Sequence, residues 1–167
     1  MASKSEQKKL YIAYGSNLNL SQMEMRCPTA TVMGPGKIEG YELLFRGVAT
    51  VEPKKGGRVP VLLWNISPRD EAALDRYEGW PHLYRKEIMD VEMEGNTISA
   101  MVYVMNDIRS LSLPTENYYK AIENGYKTSG FDTAILEQAL ASTLEKMDQE
   151  ETPWRQLSTR DAPDLHL

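Results

Sequence analysis

Glu78 is the side chain in this sequence whose placement best suits proton transfer. It ends a stretch that opens on Ser67-Pro68-Arg69-Asp70: a hydroxyl cap, a proline in the first turn and an acid behind it. That opening predicts a helix start, and Glu78-Gly79 predicts a left-handed stop. Ala73, Leu74 and Tyr77 then share one face at helical spacing. The C-terminal end of a helix carries partial negative charge, and acids belong at the other end, where Asp70 and Glu71 sit. A carboxylate at the unfavourable end, beside Trp80 and Pro81, should have its pKa raised by the dipole and by desolvation. Such a carboxyl exchanges a proton near neutral pH, which is general acid–base work. The competing reading is a solvated turn residue.

A second group lies far upstream. Leu10-Tyr11-Ile12-Ala13-Tyr14 reads as a short buried strand that stops at Gly15-Ser16-Asn17. Such a corner leaves backbone N–H groups without ladder partners, free to hold an anion or a developing oxyanion. Ser16 is not in a Gly-x-Ser-x-Gly elbow, and His82 is the only internal histidine, so its hydroxyl or amide reads as a donor. A hydrolase or acyltransferase acting through Ser16 is the weaker alternative. Nine tyrosines against two phenylalanines are the third signal. Tyr11, Tyr14, Tyr77, Tyr84, Tyr103, Tyr118 and Tyr126 fall where phenylalanine would pack equally well, which suggests a cleft with tyrosine walls.

Other chemistries lack their residues. His82, His166 and Cys27 cannot make a zinc or haem site of usual composition, so no metal is expected. Pro53-Lys54-Lys55-Gly56-Gly57 lacks the glycine spacing and following helix of a phosphate loop, and reads as a solvated hairpin turn. The net charge of −5 argues against general nucleic-acid binding, and no apolar run is long enough to span a membrane. A lone cysteine and a polar N-terminus point to a cytoplasmic protein. Oligomeric state is open.

The elements that must hold these groups follow from pattern. Residues 1–9 read as a solvated arm, 10–149 as one domain, and 150–167 as a surface tail that Trp154 would anchor. Ser21-Gln22-Met23-Glu24 has capping-box spacing for a short helix ending before Pro28. Thr29–Met33 is broken by Gly34-Pro35-Gly36, and strands follow at Tyr41–Arg46, Val48–Glu52 and Val59–Ile66. Tyr84–Met93 and Thr97–Met105 flank Glu94-Gly95-Asn96 as a hairpin. Thr115 caps a helix to about Gly125, and Asp132 or Thr133 caps another with Leu136, Leu140, Leu144 and Met147 buried. The fold class is α+β, a small mixed or antiparallel β-barrel of about six strands with flanking helices.

Tyr14-Gly15-Ser16-Asn17-Leu18, Gly47-Val48-Ala49-Thr50-Val51 and Leu74-Asp75-Arg76-Tyr77-Glu78-Gly79, with Tyr84 after it, together resemble the gamma-glutamylcyclotransferase-like (AIG2-like) family. Tyr118-Tyr119-Lys120 and Gly125 resemble that family's helix carrying a pocket tyrosine, so the likeness runs from about Leu10 to Gly130. It implies a cofactor-free enzyme that converts a γ-glutamyl amide to 5-oxoproline and a free amine or amino acid. Glu78 would be the acid/base. Tyr11, Ile12, Ala13, Tyr14, Gly15, Ser16 and Asn17, with Tyr84 and Tyr118, would bind the small-molecule substrate. A non-catalytic binding module of the same fold is the alternative. Trp80-Pro81-His82-Leu83 departs from the family pattern by being bulkier and a residue shorter before Tyr84.

Overall fold

Two long strands make most of the barrel. In the computed structural model, which describes residues 7–161 and side chains as far as residue 150, β2 (Thr31–Arg46) and β3 (Val48–Ile66) run antiparallel and are joined at Gly47. The breakers that suggested separate strands are absorbed into these two as irregularities. The register slips between Val32 and Gly34, and again between Glu39 and Tyr41. At the second slip Glu39 faces Arg58 and Tyr41 faces Pro53, so residues 54–57 bulge opposite Gly40. Pro53–Gly57 is therefore a bulged part of β3 and not a hairpin turn. A bulge bends and twists a strand without ending its ladder, which a small barrel needs. Gly36 serves closure in another way: a Cβ there would lie 2.6 Å from Val91 Cγ1 and 2.9 Å from the Glu92 carbonyl oxygen.

β4 (Tyr84–Met93) and β5 (Asn96–Met105) form the expected hairpin. Its two-residue turn, Glu94-Gly95, has φ of 51° and 81°, the primed geometry that suits strand twist. β1 (Lys9–Ala13) pairs antiparallel with β3 and parallel with β5, where Tyr11 meets Met101. The ring closes in the order β1-β3-β2-β4-β5, a mixed barrel of five strands where the sequence suggested about six.

Among the described residues four α-helices flank it. α1 (Leu20–Arg26) is capped by Asn19, whose side chain accepts the Gln22 N–H at 3.0 Å, and not by Ser21. A 3-10 turn over Ser16–Leu18 delivers Asn19 in the extended geometry a cap requires. α2 (Pro68–Glu78) carries a reciprocal capping box between Ser67 and Asp70 and ends at Gly79, φ 67°. α3 (Glu116–Ser129) starts at the Thr115 cap and passes Gly125 before stopping at Gly130.

α4 (Thr133–Asp161) begins where Asp132 accepts the Ala134 N–H at 3.0 Å. It buries Leu136, Ala139 and Thr143 while Leu144 stays exposed. A strict four-residue spacing drifts around the helix, so alternating three and four steps hold the core-facing stripe. The helix continues past Pro153, where a tail was expected. The proposed Trp154 anchor falls outside the described side chains, and residues 1–6 of the arm are outside the description. Lys9 already belongs to β1 and pairs with Glu71 at 2.8 Å. No described helix is long and apolar enough to cross a membrane.

Candidate active site

The end of β1 and the end of α2 meet over one cavity of about 210 Å³. The sequence arranges this simply. The chain leaves β1 at Tyr14, turns at Gly15 and enters the Ser16–Leu18 turn with no side-chain cap on its first N–H groups. Those amides are the ones a short helical turn leaves without internal partners. From the other side the left-handed Gly79 stops α2 one residue after Glu78, so the carboxyl stands at the helix end.

Glu78, Tyr11, Ile12, Tyr14, Gly15, Ser16 and Asn17 all line the cavity, as do Tyr84 from β4 and Tyr118 from α3. Ala13 does not: its side chain is buried in the barrel core, and its backbone pairs with Leu62. Tyr77, placed by the sequence on one face of the helix with Ala73 and Leu74, and Tyr103, read only as a member of the tyrosine set, complete the wall. Val48, Ala49 and Leu83 line it too, and nothing in their residue types marks them for this role. Tyr126 is fully buried elsewhere in the core and its hydroxyl has no partner among the described residues.

Hydrogen bonds hold the wall in place. Tyr14 donates to the Tyr103 carbonyl at 2.7 Å, and the Tyr103 hydroxyl donates to Asp75 at 2.6 Å. Asp75 is braced by Lys86, which also binds Glu71 at 2.7 Å. One residue is held on both sides: Tyr84 donates to the Ala49 carbonyl at 2.6 Å, while the Ala49 N–H donates to Tyr118 at 3.0 Å. Ser16 and Tyr77 share a hydroxyl contact of 2.8 Å. The Asn17 amide donates to the Tyr11 hydroxyl oxygen at 2.8 Å and to a Glu78 carboxylate oxygen at 3.4 Å. Tyr11 and Tyr118 act as acceptors in these bonds, which leaves each O–H free to donate to a guest among the described contacts.

Burial pushes the Glu78 carboxyl up to about 7, opposed by the positive charge of Arg26. The sequence pointed to desolvation and helix dipole together; desolvation leads. Burial likewise pushes the hydroxyls of Tyr11, Tyr14, Tyr84 and Tyr118 up, and the Glu78 charge adds to this in each case. These tyrosines therefore remain protonated donors at neutral pH. The cavity thus offers one carboxyl that titrates near neutrality, facing neutral donors and backbone amides. Among the described residues no cluster of histidine, cysteine, aspartate or glutamate could hold a metal.

A closed mixed barrel with a helix-end carboxyl over a strand-end glycine corner defines a class of fold that known proteins share. The family model for gamma-glutamyl cyclotransferase, AIG2-like, matches residues 11–126, and the chain belongs to that family. The gamma-glutamylcyclotransferase of Bos taurus is 28% identical over 135 residues, covering 72% of this chain and 71% of the bovine protein. The Homo sapiens gamma-glutamylcyclotransferase is 27% identical over 150 residues, covering 81% and 79%. A solved structure titled gamma-glutamyl cyclotransferase superposes with a TM-score of 0.72 at 25% identity, over 80% of this chain and 86% of that one.

Proposed function

We propose that this chain cyclises a γ-glutamyl amide to 5-oxoproline, releasing an amine or amino acid, with Glu78 as general acid/base. The observation that carries this is the Glu78 carboxyl, titrating near 7, in one cavity with the Gly15-Ser16-Asn17 corner. The substrate supplies its own nucleophile. Its α-ammonium gives a proton to the Glu78 carboxylate, and the freed nitrogen attacks the γ-carbonyl carbon. A ring C–N bond forms and negative charge develops on the carbonyl oxygen. As that intermediate collapses, the amide C–N bond breaks and Glu78 returns the proton to the leaving nitrogen; the second proton, still on the ring nitrogen, then passes through Glu78 to the released amine, leaving a neutral lactam and an ammonium product. Atoms and charge balance with no enzyme nucleophile.

The residues suit each step. A carboxyl of pKa near 7 can both take and return a proton at neutral pH. Because the reaction is intramolecular, holding the glutamyl chain folded supplies much of the rate. Amides of the corner and the O–H groups of Tyr11 and Tyr118 are donors for the glutamyl carboxylate or the oxyanion, a role commonly contributing ~3 kcal/mol. Glu78→Gln keeps the shape and removes the base. It should lower 5-oxoproline formation from every γ-glutamyl amide the wild type turns over by at least ~10²-fold. Full turnover by this variant would refute the assignment, and tight binding without turnover by the wild type would make the chain a binding module.

A further inference from the structure

We propose that Arg26, which lies outside the cavity lining, is a positioning residue of the site: it orients the Asn17 amide toward Glu78 and pins Tyr77 against Ser16. This rests on Glu78 being the acid/base.

Arg26 is the last residue of α1 and is half-buried. Its Nη1 donates to Asn17 Oδ1 at 2.6 Å and its Nη2 donates to Gln22 Oε1 at 2.8 Å. The guanidinium also lies 3.5 Å over the ring centre of Tyr77. The contacts to Asn17 and Tyr77 end in the cavity. Asn17 is buried and its amide has two distinct ends. With the oxygen committed to Arg26, the NH2 group must face Tyr11 and Glu78, where it donates to both. Flipped, the amide would set its oxygen against the Glu78 carboxylate and its NH2 against a guanidinium that cannot accept. Stacking on Tyr77 holds that ring where its hydroxyl meets Ser16 at 2.8 Å. A single planar cation therefore ties the strand-end corner to the end of α2.

Charge gives Arg26 a second effect. The titratable groups that line the cavity with Glu78 are Tyr11 at β1, Tyr14 at the corner, Tyr84 on β4, Tyr118 on α3 and Tyr103 on β5, whose hydroxyl is turned to Asp75. All five hydroxyls are pushed well above their ordinary range, with burial the leading cause. Tyr77 faces it from α2 itself, β3 contributes only Val48 and Ala49, and Cys27 on the α1 side is pushed up to about 12. Arg26 is the cation that opposes the burial of Glu78. This effect is the direct attraction of its positive charge for the Glu78 carboxylate, separate from its hold on Asn17 and Tyr77.

Two variants of the full chain test this. Arg26→Met keeps the stem and removes the charge; Arg26→Lys keeps the charge and loses the planar fork. In Arg26→Met the low-pH limb of kcat/KM for a γ-glutamyl amide should move up by about one unit. The Glu78 carboxyl resonance, followed by 13C NMR without substrate, should move by the same amount. In Arg26→Lys both titrations should stay near wild type, while kcat falls about tenfold because one ammonium cannot hold Asn17, Gln22 and Tyr77 together. Coincident titrations for Arg26→Met and wild type, or a wild-type kcat in Arg26→Lys, would overturn the proposal. Turnover by Glu78→Gln would instead remove the acid/base assignment, and the NMR titration would still report on Arg26.

Discussion

Gly125 is where the architecture of the corner is most exposed to a single methyl group. It sits inside α3, where alanine is intrinsically favoured over glycine by about 1 kcal/mol. In this chain the added Cβ would lie 2.6 Å from Leu18 Cβ, 2.7 Å from the Leu18 carbonyl carbon and 2.9 Å from its oxygen. The first of these is about 0.8 Å short of the 3.4 Å at which ordinary contact begins, and two of the three atoms are backbone. Leu18 closes the turn that carries Ser16 and Asn17, so α3 and the corner must separate. Overpacking of this kind costs ~1–3 kcal/mol, partly offset by the propensity gain. The larger effect should be kinetic. Moving a binding corner by roughly 1 Å relative to Glu78 can cost up to ~10²-fold in rate. Gly125→Ala should therefore lose at most ~2 kcal/mol by denaturant unfolding, yet lose tenfold to a hundredfold in kcat/KM for γ-glutamyl amides, roughly in line with that misplacement. A variant with wild-type kcat/KM would show that the glycine is not what sets the distance between corner and carboxyl.

Further outcomes follow from the same geometry. Glu78 is held with its pKa raised from 4.5 to about 7, so the folded state keeps a proton that the unfolded chain releases. Stability from this group is present below about pH 4.5 and lost as pH rises through 7, a penalty of order 3 kcal/mol. Glu78→Gln should thus be more stable than wild type at pH 8 and nearly equal at pH 4, read by urea midpoints; equal gaps at both pH values would contradict the burial of the carboxyl. Tyr118→Phe leaves the Ala49 N–H without its 3.0 Å acceptor, which should cost ~1–3 kcal/mol and lower kcat/KM. An unchanged melting temperature for that variant would mean that the Ala49 peptide finds another partner.

Features set by neighbours in the chain were legible from residues alone. The Ser67 cap, the Gly79 stop, the Thr115 cap and the Glu94-Gly95 turn all depend on contacts within about four residues, and each stands where its residue types put it, save that Asn96 belongs to β5 and not to the turn. The carboxyl at the helix end and the Gly15 corner were visible for the same reason. Tertiary structure decided the rest. Gly34-Pro35-Gly36 and Pro53–Gly57 carry the composition of strand breaks, yet the ladder between β2 and β3 runs through both, because pairing on either side outweighs local preference. Leu144 has the residue type of a core position and is exposed, since the face of α4 is chosen by the barrel it packs on. Ala49 and Arg26 carry no chemical signature of a site. One is made part of it by Tyr84 and Tyr118, the other by Asn17 and Tyr77, which reach them from 35 and 69 residues away for Ala49 and from 9 residues away for the Arg26–Asn17 bond. Local hydrogen bonding can specify a carboxyl, a cap or a turn; which side chains surround that carboxyl depends on barrel closure, which brings distant strands and helices to one cavity.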